Sequence, residues 1–253
     1  MGAQYSSLAS FYDSLNFGCD YDKLADFLDT LIKKNEKTKT SLVLDLACGT
    51  GKLTFKLRDR GYDMTGVDIS ESMLAEAQNY AYDNSINDVL FLCQSMTNFE
   101  LYGTVDACVS TLDSINYLTK LKDVEECFRL VHNYLIPDGV FIFDINTPYR
   151  FEKIYANNDF VLESDTSLLA WQNDYNEKTK LCKFYLSIFE ENENGTYERY
   201  NEVQIERCYQ KKQIESLLKK CGFEIISVYG DTDYSPIKEN DEKWYFIARN
   251  IKN

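Results

Sequence analysis

The stretch SLVLDLACGTGKLTFKLRDRGYDMTGVDIS, residues 41–70, limits the possible folds more than any other part of the chain. Leu42-Val43-Leu44 is a short apolar run of the kind that forms a strand covered on both faces. Asp45 follows it. Then come Ala47-Cys48-Gly49-Thr50-Gly51, small residues that let the backbone turn sharply and let a ligand come close to it. From Lys52 the apolar spacing becomes helical through Leu53, Phe55 and Leu57, with Gly61 as the stop. Asp63–Val67 reads as a second strand, closed by Asp68. Strand, glycine-rich turn, helix, strand and terminal carboxylate open a doubly wound nucleotide-binding sheet, in which that carboxylate accepts hydrogen bonds from ribose hydroxyls. The plainer alternative is a tight turn between a core strand and a helix, with Asp68 or Ser70 as a helix N-cap.

Length and composition narrow the classes. The 253 residues suit one large domain or a domain with an insertion, and an apolar content of 44% supports a sizeable core. A net charge of −14 works against phosphate-driven binding to nucleic acid and against anionic membranes. The cluster Lys33–Lys39 reads as a solvated helix end and loop. The opening residues lack the basic and apolar regions of a signal peptide, and no stretch approaches the ~20 apolar residues of a membrane span. Eight cysteines occur without a C-x-x-C pair, mostly in apolar runs, and read as reduced, buried thiols. The single histidine, His132, falls at a helix end, so no zinc site is expected and no metal is assigned. These features fit a cytoplasmic protein.

The rest of the chain divides into three parts. Residues 1–40 read as an N-terminal helical cap, with helices at Ser6–Leu15 and Tyr21–Lys34. Residues 41–147 and 207–253 carry the alternating α/β pattern of the main sheet. Its further strands are Val89–Leu92, Val105–Ser110, Val140–Asp144, Ile225–Tyr229 and Trp244–Arg249. Its further helices are Glu71–Tyr82, Asp123–Leu135 and Lys211–Cys221, and Ile136-Pro137-Asp138-Gly139 is the turn into the fifth strand. Residues 148–206 break the alternation. Trp171–Asn176, Lys180–Glu190 and Thr196–Cys208 read as three antiparallel strands with period-two stretches, an inserted lid over one edge of the sheet. The expected fold is therefore α/β, a doubly wound, mostly parallel seven-stranded sheet with an inserted antiparallel β lid.

The nucleotide pattern is not that of a dinucleotide site. G-x-G-x-x-G needs a third glycine for close helix–strand packing, and Thr54 stands there. The pattern present, Asp45-x-Ala47-x-Gly49-x-Gly51 with Asp68 downstream, resembles the first motif and acidic loop of the class I S-adenosylmethionine-dependent methyltransferases, with Ala47 in place of the first glycine. Thr111-Leu112-Asp113-Ser114-Ile115-Asn116-Tyr117 is similar to the same family's fourth motif. The segments Leu135-x-Pro137-Asp138-Gly139, Arg207-Cys208-Tyr209 and Ile214–Phe223 resemble further parts of it, so the likeness runs nearly the whole chain.

That resemblance implies a Rossmann-like methyltransferase with S-adenosyl-L-methionine as cofactor. Asp45 is then expected at the cofactor's amino-acid end, with Ala47, Gly49 and Gly51 at close backbone approach and Asp68 on the ribose. Ile69 and Met73 flank the adenine, as do Ser95 and Met96, Ser95 replacing the family's usual acidic residue. Leu112 borders the cofactor, and Tyr12 and Tyr21 close over its methionine end, with Tyr5 a weaker candidate, because an aromatic face suits a sulfonium. Asp113, Tyr117 and Tyr209 are the candidate catalytic groups, and Asn116, Trp171, Glu202 and Arg207 the candidate substrate contacts. Gln204 occupies the place of a lid histidine common in the family, so no lid histidine serves as base. The expected reaction is methyl transfer to an amine or hydroxyl of a small molecule, by a monomer or homodimer. The alternatives are a nicotinamide-dependent oxidoreductase on a similar sheet, a non-catalytic S-adenosylmethionine-binding protein, or an RNA methyltransferase.

Overall fold

The computed structural model describes residues 19–164, 166–192 and 194–252. The expected Ser6–Leu15 helix, Tyr5 and Tyr12 lie outside those residues. The main sheet has seven strands: β1 (Leu42–Leu46), β2 (Asp63–Asp68), β3 (Val89–Cys93), β4 (Val105–Ser110), β5 (Leu135–Asn146), β10 (Phe223–Tyr229) and β11 (Lys243–Asn250), in the spatial order β10-β11-β5-β4-β1-β2-β3. Strands β1 to β5 pair in parallel, and β11 enters antiparallel between β5 and β10. Four strands, β6 (Asp159–Glu163), β7 (Ser167–Asn176), β8 (Leu181–Glu191) and β9 (Tyr197–Arg207), form a separate antiparallel sheet. That second sheet lies in sequence between β5 and the helix before β10.

The apolar runs of the strands are explained by helices on both faces. Val43, Val109, Ile142 and Ile247 point to one face, where they meet α1 (Tyr21–Asn35) and α2 (Lys52–Arg58) through Leu24, Leu28, Leu31, Leu53 and Leu57. Leu44, Cys108, Phe141, Phe143 and Phe246 point to the other, against α4 (Leu121–Tyr134) and α5 (Lys211–Lys220) through Val124, Phe128, Ile214 and Leu218. Asp20 caps α1 by accepting from the Lys23 amide at 2.9 Å. Ser70, not Asp68, caps α3 (Glu71–Asp83), accepting from the Met73 amide at 3.3 Å.

Two local expectations are corrected. Ile136–Gly139 is not a turn ahead of β5 but a bulge within it. Leu135 pairs with Val105 and Val140 with Ala107, so the four intervening residues loop out, with Asp138 in the left-handed region at φ 63°. Pro137 has no N–H to give the ladder, which suits an irregular stretch. The second sheet has four strands rather than three. Its first strand, β6, is short and its inner positions are only half-buried, so it carries little apolar alternation to read.

Candidate active site

The C-terminal ends of β1, β2 and β4 converge on one edge of the main sheet. Beyond β1 the chain folds back, the amides of Ala47 and Cys48 both donating to the Val67 carbonyl at 2.7 and 3.0 Å. Gly49 has φ 55°, and a Cβ built there meets nothing within 4 Å. Asp68 grips this loop: its two carboxylate oxygens accept from the Gly49 and Ser70 amides, each at 2.8 Å. Burial pushes the Asp68 carboxyl up, while the backbone donors around it act the other way. Asp45 is 2% exposed and accepts from the Thr54 hydroxyl at 2.6 Å. Burial pushes it up to about 7, against that hydrogen bond.

The loop borders a recess of about 40 Å³ lined by Tyr21, Asp45, Ala47, Gly49, Lys52 and Leu112 among others, with Asp68 outside its lining. The features of this edge of the sheet fit S-adenosylmethionine. The open side of Gly49 leaves room for a ligand against the backbone. Asp45 offers a buried carboxylate for an ammonium group, and Ile69, 66% exposed beside Asp68, offers an apolar surface for a base. Thr54, filling the place of a third glycine, is spent on Asp45.

A larger cavity, about 550 Å³, lies between the two sheets. Leu112 lines both spaces. It sits in an unusual turn: Leu112 and Asp113 have φ of 57° and 56°, successive left-handed residues without a glycine. Such conformations persist only where the surroundings impose them. Here the buried carboxylate of Asp144, near the end of β5, accepts the Leu112 amide at 3.0 Å and the Asp113 amide at 2.5 Å.

The cavity holds a cluster of buried charges. Lys243 on β11 donates to Asp113 at 2.7 Å and lies 3.5 Å from Asp144. Burial pushes the Asp113 carboxyl up, but Lys243 and Arg150 beside it more than offset this and hold it below the usual carboxylate range. Asp144 is displaced upward by burial, Lys243 opposing and Asp113 adding to the shift. Glu206 on β9, 2% exposed, accepts from the Asn146 amide group at 3.1 Å and lies close enough to Asp113 for the two carboxyl groups to interact. Burial and the Asp113 charge push the Glu206 carboxyl well above the ordinary range. Arg150, in the π-helical turn Arg150–Tyr155, donates to the Tyr155 hydroxyl at 2.7 Å. Tyr155, Trp171 and Phe184 form an aromatic wall, with centroids 5.2 to 5.6 Å apart pairwise. The Trp171 indole N–H is buried without a partner among the described residues.

The expected residues divide accordingly. Asp113, Tyr117 and Trp171 line the large cavity, Tyr117 donating to Gln204 at 2.8 Å. Tyr21, Asp45, Ala47, Gly49 and Leu112 line the small recess. Gly51 begins α2 behind it, at φ 75°. Ser95 shares a 3.0 Å hydrogen bond with the Thr97 hydroxyl. Met96 is half-buried against the core, and Met73 is 2% exposed on the inner side of α3. Tyr209, Asn116, Arg207 and Glu202 do not line the cavity. Tyr209 is fully buried, its hydroxyl given to the Leu118 carbonyl. Asn116 staples β5 to the end of β9, accepting the Asn146 amide and donating to the Arg207 carbonyl, each at 2.9 Å. Arg207 donates to the Thr119 carbonyl at 3.0 Å, and Glu202 accepts from Gln204 at 2.9 Å. Tyr12 lies outside the described residues.

Glu206, Lys243, Arg150, Asp144 and Thr54 were not among the expected groups. One signal marks Glu206. Along β9 the pattern is inverted, with Gln204 and Glu206 buried while Val203 is 48% exposed. Polar residues at every second position on a covered face point to a lined cavity.

The family described as "Methyltransferase domain" matches residues 43–139. The chain is 31% identical over 252 residues to YqeM of Bacillus subtilis (strain 168), provisionally named a methyltransferase, covering 98% of each protein. It is 28% identical over 151 residues to the dTDP-3-amino-3,4,6-trideoxy-alpha-D-glucopyranose N,N-dimethyltransferase of Streptomyces venezuelae, covering 59% of this chain and 60% of that one. Among solved structures, an S-adenosylmethionine-dependent methyltransferase from Clostridium acetobutylicum ATCC 824 superposes with a TM-score of 0.89 at 30% identity, over 98% of this chain and 99% of that one.

Proposed function

This chain belongs to the class I S-adenosylmethionine-dependent methyltransferases, and on that premise we propose that it methylates an amine or hydroxyl of a small molecule held between its two sheets. The observation that carries this reading is Leu112, which borders both the glycine-loop recess and the 550 Å³ cavity. A methyl donor on one side and an acceptor on the other then meet across a single backbone turn. Bound S-adenosylmethionine supplies an electrophilic methyl group on a sulfonium. The protein's part is to bind, orient and exclude water. Asp45 receives the amino-acid end, Asp68 the ribose, and Ile69 the base, while Gly49 keeps the backbone open. The second sheet roofs the cavity and keeps solvent from the acceptor.

The small-molecule assignment draws on the cavity's size and on the net charge of −14, which opposes a polynucleotide substrate. No helix among the described residues is long and apolar enough to cross a membrane, and a cytoplasmic site of action is part of the proposal. Calorimetric titration with S-adenosylmethionine, S-adenosylhomocysteine and NAD tests the cofactor half: binding of the first two and not the third is expected. Transfer of radiolabelled methyl to a panel of small amines and alcohols tests the other half. Cofactor binding without transfer to any acceptor would favour a non-catalytic binding protein, and transfer to RNA with steep salt dependence would overturn the small-molecule reading.

A further inference from the structure

We propose that the acceptor is an amine, and that Glu206 is the catalytic residue that takes its proton. The proposal rests on the methyltransferase reading above and narrows its acceptor.

Charge balance in the cavity carries the inference. Two carboxyl groups, Asp144 and Glu206, are buried, and a third, Asp113, is mostly buried beside two mostly buried permanent cations, Lys243 and Arg150. Lys243 pairs with Asp113 and lies 3.5 Å from Asp144, and Arg150 lies 3.7 Å from Glu242, so among the described residues no ion pair reaches Glu206. Burying an unpaired charge is costly, so one of the three carboxyls keeps its proton when the cavity holds no cation. Asp113 is tied directly to Lys243, and Asp144 accepts two backbone amides with Lys243 3.5 Å away, which leaves the proton on Glu206. The other groups around Glu206 do not change this count: Tyr155 and Cys182 remain neutral, their hydroxyl and thiol displaced upward chiefly by burial. Asp20, Lys23 and Asp231 lie on the exposed side of the cavity, and Glu242, 3.7 Å from Arg150, is half exposed.

The cluster therefore has room for one more positive charge. An ammonium group fills it and a carboxylate does not. The aromatic lining points the same way: the Tyr155 ring already lies under the Arg150 guanidinium, 5.1 Å from its centroid, and Trp171 and Phe184 line the same cavity, where aromatic rings favour cations and methylated ammonium groups. A neutral hydroxyl gains from neither feature.

The proton path balances. An entering ammonium displaces the Glu206 proton to solvent and pairs with the carboxylate left behind. The nitrogen then gives a proton to Glu206 and regains its lone pair. That pair forms the new N–C bond to the methyl carbon while the C–S bond breaks, its electrons remaining on sulfur. The product is a methylammonium, again a cation; Glu206 loses its proton to solvent, pairs with this cation, and takes a proton back from solvent when the product departs.

The test uses the full chain with tritiated methyl donor and a protein-free, small-molecule extract of Bacillus subtilis. Expected is label in a base-stable product retained on a cation exchanger. In Glu206→Gln that transfer falls by about 100-fold, and raising the pH, which deprotonates the free amine, recovers part of it. S-adenosylmethionine affinity, measured by calorimetry on the same preparations, changes by less than about threefold, which shows that the variant is folded. Independently of turnover, the infrared carboxylic-acid band of the resting protein at neutral pH loses intensity in Glu206→Gln. Label in a base-labile ester or an uncharged ether overturns the proposal. So does cofactor binding with no basic product, undiminished transfer by Glu206→Gln, or an unchanged carboxylic-acid band. If the wild type does not bind S-adenosylmethionine at all, the methyltransferase reading itself fails, and the calorimetry separates that case from the others.

Discussion

The hydroxyl of Thr54 donates to the carboxylate of Asp45 across 2.6 Å, and both side chains are shut off from solvent. The residue that breaks the dinucleotide fingerprint thus has a positive use: it orients the carboxylate at the start of the glycine loop. Thr54→Val keeps the shape and removes the donor. A buried acceptor left unsatisfied costs about 1–3 kcal/mol. The expected result is a lower melting temperature and S-adenosylmethionine affinity weakened by roughly tenfold, read by calorimetry. An affinity equal to wild type would show that Asp45 does not touch the cofactor.

Asp45 also sets a pH dependence. Its folded-state value is near 7, against 3.8 for the unconstrained group. Between those values the folded chain keeps a proton that the unfolded chain has lost, so this group's contribution to stability falls as the pH rises from about 4 to about 7. Cofactor binding runs the other way, because an ammonium group needs the ionised carboxylate. Affinity for S-adenosylmethionine should fall about tenfold from pH 8 to pH 6. Asp45→Asn should flatten the profile. A slope that persists in Asp45→Asn would assign it to another group.

The sheet was legible because its signals are local. Leu42–Leu44, Gly49, Gly51 and Asp68 specify strand, turn and strand end within one short stretch, and apolar runs covered on both faces need no long-range knowledge. The charged cluster was not legible for the opposite reason. Asp113, Asp144, Arg150, Glu206 and Lys243 are spread over 130 residues and meet only because β4, β5 and β9 end, and β11 begins, at one edge. Tyr209 and Asn116 misled for a related reason. Both occur in chemically suggestive motifs, yet the fold turns them into the core, where the phenol and the amide satisfy backbone groups. Asp144 was visible as a strand-end acid, like Asp68, but nothing local says that its partners are the two amides of a left-handed turn.

That turn yields a third prediction. Asp144 accepts the Leu112 and Asp113 amides with separate oxygens, and Lys243 lies 3.5 Å away. Asp144→Asn replaces one acceptor by an NH₂ group that must face an amide N–H. The loss of one buried hydrogen bond, with a donor left facing a donor, should cost about 1–3 kcal/mol. Urea denaturation should show the midpoint falling with an unchanged slope. If the left-handed turn relaxes as well, methyl transfer drops further than cofactor affinity, since Leu112 separates the two binding spaces. A midpoint equal to wild type would mean that the turn holds without Asp144.

The two left-handed glycines of the loop should respond differently to the same substitution. Gly49 (φ 55°) has nothing within 4 Å of a built Cβ, whereas at Gly51 (φ 75°) a Cβ lies 3.0 Å from Phe91, 3.1 Å from Phe55 and 3.2 Å from Ala77. Alanine at either site meets the left-handed penalty of roughly 1–2 kcal/mol. At Gly51 crowding adds to it, because the three neighbours belong to packed elements that yield little. Gly51→Ala should therefore lower thermal stability more than Gly49→Ala does. For cofactor affinity the order should reverse, measured as the change in Kd beyond that explained by the unfolded fraction. The methyl group at Gly49 projects into the space where a ligand approaches the backbone, while the one at Gly51 projects into protein. Equal losses of affinity at the two sites would place the ligand away from Gly49.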